Sequence, residues 1–192
     1  MGLDMYLYRA NLHDYSVEQA KHIENFLDWQ KEMSDHPDRT CTMKEWCGQD
    51  DKDINPEALD ALTPEFQLRY YYWDTNRRHG HYRIFQNCGY WRKANAIHAW
   101  FVENVQNGVD DCAMYEVTYD QLESLKIACL QVLSATPEEY AAILPTQGGF
   151  FFGSTDYDED YLEEIQNTIR MIDTVLAETD WEKETVIYSS SW

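Results

Sequence analysis

The most regular segment of this chain runs from Asp158 to Leu176, and its pattern limits what the rest can fold into. Leu162, Ile165, Ile169, Met171 or Ile172, and Leu176 recur at spacings of three and four, the period of one helical face. A helix with a single apolar stripe must bury it against a second layer. Short runs of strand character supply that layer. Leu3-Asp4-Met5-Tyr6-Leu7-Tyr8 alternates, and Cys112–Val117 and Thr185–Tyr188 are short and rich in aromatic or β-branched residues. Gly148-Gly149-Phe150-Phe151-Phe152-Gly153 reads as a brief buried strand between glycines.

Helix signals lie between these runs. Ser16-Val17-Glu18-Gln19 is a capping box, opening a helix with Ala20, Ile23, Phe26 and Leu27 at helical spacing. Thr118 with Gln121 caps a second, whose stripe is Leu122, Leu125, Cys129 and Val132. Thr136-Pro137-Glu138-Glu139 starts a short helix ending before Pro145, and Asn55-Pro56-Glu57 and Thr63-Pro64-Glu65 open two more. A helix is expected from Tyr90 to Asn107, with Ala94, Ile97, Phe101 and Val105 inward and Trp91, Asn95 and His98 on a neighbouring face. Ser154 or Thr155 caps the last helix, whose first turn carries Asp156, Asp158, Glu159 and Asp160, acids that suit the positive end of the helix dipole. The expectation is a single α+β domain over residues 1–192, α/β being the variant. A sheet of three or four strands would pack against about five helices. Residues 31–55 read as polar loop, and the acidic excursion spans about 31–66.

Charge is distributed unevenly over this frame. The chain has 15 Lys and Arg against 35 Asp and Glu, a formal charge of −20. Yet from Arg69 to Lys93 the cations Arg69, Arg77, Arg78, Arg83, Arg92 and Lys93 face one acid, Asp74. Aromatic rings crowd the same window: Tyr70, Tyr71, Tyr72, Trp73, Tyr82, Phe85, Tyr90 and Trp91. Guanidinium groups fork phosphate and flat rings stack bases, so the window suits a nucleotide or another phosphorylated ligand. The alternative is an internal counter-charge to the acidic remainder. In the expected helix Arg92 and Lys93 occupy the first turn, where cations oppose the dipole unless an anion or an acidic partner compensates.

Other classes are disfavoured. Free duplex DNA and a membrane surface would be repelled by the acidity, whereas a basic protein would be attracted. No stretch approaches the roughly 20 apolar residues of a membrane span, and residues 1–6 carry no basic leader. A cytoplasmic location follows, and a homo-oligomer is compatible with it. Five cysteines without CxxC spacing read as free thiols. Cys41 and Cys47 near His36 have the wrong spacing for a structural zinc site, and no metal or cofactor is expected. Asp156-x-Asp158-x-Asp160 fails as a calcium loop, because Tyr161 stands where Gly and Asn167 where Glu is required. No P-loop, dinucleotide fingerprint or nucleophile elbow occurs. His98 is the candidate general base, with Asn95 to orient it, against the alternative of a packed structural histidine.

Three blocks in order carry a resemblance: Met1-Gly2-Leu3-Asp4-Met5-Tyr6-Leu7, Gly89-Tyr90-Trp91-Arg92-Lys93-Ala94-Asn95-Ala96-Ile97-His98-x-Trp100-Phe101, and Gly149-Phe150-Phe151-Phe152-Gly153-Ser154-Thr155-x-Tyr157. Together they resemble a widespread family of small proteins encoded by phages, prophages and other mobile elements. The family carries no assigned chemistry, so the resemblance implies genomic context: a phage accessory protein, active in the host cell cytoplasm, that antagonises host defence. Joined to the basic window, this gives the leading expectation, sequestration of a phosphorylated ligand such as a nucleotide immune signal. Arg77, Arg78, Arg83, Arg92 and Lys93 would hold phosphates, Tyr90, Trp91 or Trp73 would stack a base, and Asn95 and His98 would read polar edges. The alternatives are an acidic, nucleic-acid-mimicking inhibitor of a basic host nuclease, using Asp50, Asp51, Asp53, Asp156, Asp158 and Asp160, and a nucleotide-processing enzyme built on His98.

Overall fold

The structure, a computed structural model, describes residues 2–12, 16–39, 41–47, 71–74, 79–82 and 84–192. The chain divides into two compact units, residues 12–86 and residues 1–11 with 87–192. The excursion expected at 31–66 falls inside the first of these.

In the 12–86 unit, Ser16 accepts from the Gln19 N–H while the Gln19 side chain accepts from the Ser16 N–H, and helix α1 follows as Val17–Asp35. It runs deeper into the polar stretch than the sequence suggested. A second helix, α2, covers Met43–Cys47, so residues 31–35 and 43–47 are helical rather than loop. The Trp29 indole N–H, donating to the Cys41 carbonyl at 2.9 Å, ties the two together. Strands β2 (Tyr71–Asp74) and β3 (His79–Tyr82) pair antiparallel, Tyr71 opposite Tyr82. The Pro-led helices expected after Asn55 and Thr63 lie outside the described residues.

The larger unit is a layer of helices on one face of a four-stranded sheet, the expected α+β class. Its strands are β1 (Asp4–Ala10), β4 (Gln86–Arg92), β5 (Tyr115–Val117) and β6 (Thr185–Ser191), in the order β4-β1-β6-β5. All neighbours run antiparallel. β1 pairs with β6 from Asp4↔Ser191 to Ala10↔Thr185, and β5 with β6 from Tyr115↔Tyr188 to Val117↔Val186. Leu3 meets Lys93 at one end of the β1–β4 contact and Leu7 meets Gly89 further along, which sets that direction. Alternation puts Met5, Leu7, Trp91, Val186 and Tyr188 on the core face.

Against that face lie α3 (Asn95–Asn104), α4 (Tyr119–Ser134), a 3-10 turn (Pro137–Glu139) leading into α5 (Tyr140–Ile143), and α6 (Glu159–Glu178). The Thr118 capping box and the stripe Leu122, Leu125, Cys129 and Val132 form as the spacing requires, and all four side chains are fully buried. On α6 the deepest residues are Tyr161, Ile165, Thr168, Ile172 and Val175, while Leu162, Ile169 and Leu176 are half-buried. The polar Thr168 can lie this deep because its hydroxyl accepts from the Trp91 indole N–H at 2.9 Å and donates to the Glu164 carbonyl at 2.8 Å. The cap of α6 is Asp158, which accepts from the Tyr161 N–H, and neither Ser154 nor Thr155.

Two further expectations are corrected. Gly89 to Arg92 is strand, and the helix starts only at Asn95. Burial alternates over exposed Tyr90, buried Trp91 and exposed Arg92, the period of a strand paired with β1, which outweighs the helical stripe that begins three residues later. Gly148–Gly153 is a turn, closed by the Phe152 N–H on the Gly149 carbonyl at 3.2 Å, and Phe150 is 97% exposed at its tip. No helix among the described residues is long and apolar enough to cross a membrane.

Gly89 is held against α6. A Cβ there would meet the Met171 sulfur at 2.6 Å and the Leu7 Cβ at 3.2 Å, whereas one at Gly148 meets nothing closer than 3.9 Å. Gly89→Ala should therefore lower stability by about 1–3 kcal/mol in denaturant titration, with Gly148→Ala within about 0.5 kcal/mol of the parent.

Candidate functional site

β4 remains in the sheet until Lys93, whose N–H donates to the Leu3 carbonyl at 2.8 Å, and α3 begins two residues later. The reversal is made within Lys93, at φ 62°, a left-handed conformation that costs a lysine where glycine would be free. The next residue, Ala94, stands at the N-cap without a side-chain acceptor. The N–H groups of the first turn of α3 are thus left without a side-chain cap.

The loop facing this turn hangs on Asn95. Its buried amide donates to the carbonyls of Phe152 (3.0 Å) and Ser154 (2.7 Å), and its oxygen accepts from the Gln147 N–H (3.0 Å). Leu3 supports both sides, since its N–H donates to the Phe151 carbonyl at 3.0 Å while its carbonyl holds Lys93. Gly153, at φ +90°, lets the loop pass close, for a Cβ there would sit 3.1 Å from the Lys93 Cβ.

Between this loop, α3 and α6 lies a cleft of about 280 Å³. One wall is Arg92, Lys93 and the first turn of α3; the other carries Asp156, Asp158, Asp160 and Glu164; Ile97, Tyr161 and Ile165 line it between them. Two of these acids have local duties. Asp158 caps α6, and Asp156 accepts from the Ser154 hydroxyl at 3.1 Å. Among the described residues Arg92 and Lys93 form no ion pair, and the Asp160 and Glu164 carboxylates take no hydrogen bond. Opposite charges share one cleft without neutralising each other. Burial, reinforced by the neighbouring Glu163, pushes the Glu164 carboxyl up to about 6.

Of the residues expected to bind a ligand, the fold brings Arg92, Lys93 and Asn95 to the cleft, Asn95 as the anchor of its loop. Arg77, Arg78 and Arg83 lie outside the described residues. Tyr90 and Trp91 are successive strand residues and point to opposite faces. Tyr90 is exposed, donates its hydroxyl to Asp4 and lies against Tyr6 with ring centres 5.3 Å apart. Trp91 is 2% exposed with its N–H spent on Thr168, so it offers no stacking surface. Arg92 and Lys93 precede the helix instead of forming its first turn, yet they still add positive charge beside its positive end, so the conflict with its dipole remains.

His98 is fully buried. Its Nδ1 shares a hydrogen bond with the Tyr188 hydroxyl at 2.8 Å and its Nε2 with Asp110 at 3.0 Å. The second Asp110 oxygen accepts from the Trp192 indole N–H at 3.1 Å. With both ring nitrogens occupied, His98 is a linker between sheet, α3 and the 105–112 loop. The carboxylate wall is what sequence reasoning missed. Its acids were visible as dipole partners of α6, but nothing in their spacing showed that they face Arg92 and Lys93. Comparison with protein-family models, curated proteins and solved structures finds no match.

Two outcomes follow for stability. Asn95→Ala leaves the Phe152, Ser154 and Gln147 backbone groups without their partner and should cost at least about 2 kcal/mol in denaturant titration. Glu164 has a folded value above the ordinary 4.5, so its contribution is fully present below pH 4.5 and lost as pH rises through about 6. Glu164→Gln should accordingly be more stable than the parent at pH 7, by about 1 kcal/mol after allowance for solvent screening, and the gain should shrink toward pH 4.5.

Proposed function

We propose that this chain is a phage accessory protein that captures a phosphorylated small ligand, such as a nucleotide immune signal, and so acts against host defence in the host cytoplasm. The observation that carries the reading is the basic wall of the cleft. Arg92 and Lys93, without an ion pair among the described residues, precede the N-terminus of α3, which has no side-chain cap, and backbone N–H groups beside two cations suit a phosphate. A left-handed lysine at that point means that the surrounding contacts hold a strained turn in place, which presents the pair in one geometry.

The opposite wall narrows the ligand. Inorganic phosphate alone would face four acids, whereas a nucleotide can turn the amino or imino edge of its base toward them, since carboxylates accept from such donors. A cleft of about 280 Å³ is near the lower end for small-molecule sites and suits one nucleotide unit. Catalysis through His98 lacks a free nitrogen for substrate, so capture is favoured over processing. The rival inhibitor that imitates nucleic acid draws on the charge of −20. Of its proposed acids, Asp156, Asp158 and Asp160 line the cleft, and Asp50, Asp51 and Asp53 lie outside the described residues.

A thermal-shift and calorimetry panel of mononucleotides, cyclic dinucleotides and trinucleotides, and ADP-ribose tests the reading. A specific hit is expected to weaken by about 1.5–3 kcal/mol in Arg92→Ala, the scale of a hydrogen bond to a charged group, and to depend only moderately on salt. A flat panel, or a hit unchanged in Arg92→Ala and Lys93→Ala, overturns it. Steeply salt-dependent binding to a basic nuclease would then support the rival.

A further inference from the structure

The donors and acceptors that line the cleft are sorted by wall. Its neutral side chains have spent their donors within the fold. The Asn95 amide holds the Phe152 and Ser154 carbonyls, and the Ser154 hydroxyl donates to Asp156. The Thr146 hydroxyl donates to the Thr155 carbonyl at 3.0 Å, and the Tyr161 hydroxyl to the Leu144 carbonyl at 3.0 Å. Among the described residues, the side-chain donors left to a ligand are therefore Arg92 and Lys93, beside the N–H groups that open α3. The carboxylates of the other wall, while ionised, can only accept.

Within that wall Glu164 stands apart. Asp156, Asp158 and Asp160 are exposed to water, whereas Glu164 lies one turn beyond Asp160 on α6 and is half-buried. Tyr161 and Ile165 beside it on the helix are 8% and 1% exposed, and Ile97 of α3, which lines the same cleft, is 1% exposed. The Glu164 carboxylate takes no hydrogen bond from any of them, and a carboxylate drawn out of water without a donor is costly until a ligand supplies one.

We infer that Glu164 reads the base of a nucleotide held at Arg92 and Lys93, and that this base is guanine, an assignment that rests on the cleft being a phosphate site. Among the nucleobases guanine alone sets two N–H donors side by side, the ring N1–H and the 2-amino group. One ionised carboxylate can accept both. Adenine and cytosine each set an amino group beside a ring nitrogen that accepts, and uracil sets its single N–H between two carbonyls. Each of these turns an acceptor toward Glu164, and a site built around hydrogen bonds rejects a ligand that leaves its polar groups unpaired.

Calorimetry on the full chain with GMP, IMP, AMP and CMP at pH 7.5 tests the assignment. GMP should bind at least about tenfold tighter than IMP, which lacks only the 2-amino group, and at least about tenfold tighter than AMP and CMP. Glu164→Gln replaces one acceptor by a donor. It should weaken GMP at least about tenfold and leave AMP within about threefold. This variant is expected to fold, since its stability at pH 7 should exceed the parent's. Arg92→Ala should weaken all four nucleotides alike and keep their order, which separates base from phosphate. Equal binding of the four, with loss in Arg92→Ala, would overturn the guanine assignment and leave phosphate capture standing. A GMP preference that survives Glu164→Gln would overturn it as well. So would a failure of GMP to bind, whatever other nucleotides do, and the wider panel then decides the phosphate reading by itself. GMP binding that needs Glu164 and not Arg92 would support the base site and sink the phosphate reading.

Discussion

The pairing of β1 with β6 is the contact on which the larger unit depends. Seven residues near the start of the sequence are in register with seven near its end, and β6 lies between β1 and β5, so without it the sheet has two disconnected edges. The register is set by burial. A slip of one residue would turn Met5 and Leu7, and with them Val186 and Tyr188, away from the helices. Correct pairing puts the Tyr188 ring flat on Phe101, with centroids 4.0 Å apart, and its hydroxyl on His98. Both partners lie on α3, so the position of that helix follows from the strand register.

The cleft inherits its shape from the same place. Leu3, immediately before β1, holds Lys93 with its carbonyl and Phe151 with its N–H. The two segments that frame the cleft therefore meet on one residue, just ahead of the first strand. Asn95 completes the clamp from inside, with three hydrogen bonds to residues 147–154. A buried amide with so many backbone partners is costly to replace, which makes Asn95 a positioning residue whose service to a ligand is indirect.

Electrostatics set the cleft apart from the surface around it. From residue 94 onward the basic side chains are Lys126, Arg170 and Lys183, against many acids, so the field around the helical layer is negative. Arg92 and Lys93 interrupt it at the end of β4, where a helix N-terminus adds to them. A phosphorylated ligand entering there meets a local positive site inside a negative field, and the carboxylate wall then favours a ligand with its own donors.

Much of the fold was legible in the chain because its signals are local. Both capping boxes, the α4 stripe, the first and last strands and the α+β class follow from spacings and side-chain chemistry within a few residues. Two segments were misread for a common reason. Gly89-Tyr90-Trp91-Arg92 lies next to a helical stripe and Gly148–Gly153 next to aromatic residues, and each took its conformation from Leu3, far away in sequence. For the site, the sequence by itself determined which residues could carry charge: the cations of the 69–93 window and the acids at the start of α6. Tertiary structure decided that Trp91 and His98 are spent inside the core, that Tyr90 faces away, and that Arg92 and Lys93 stand across a cleft from Asp160 and Glu164. Those outcomes depend on strand pairing between distant segments, and no periodicity within a segment encodes which partner it will meet.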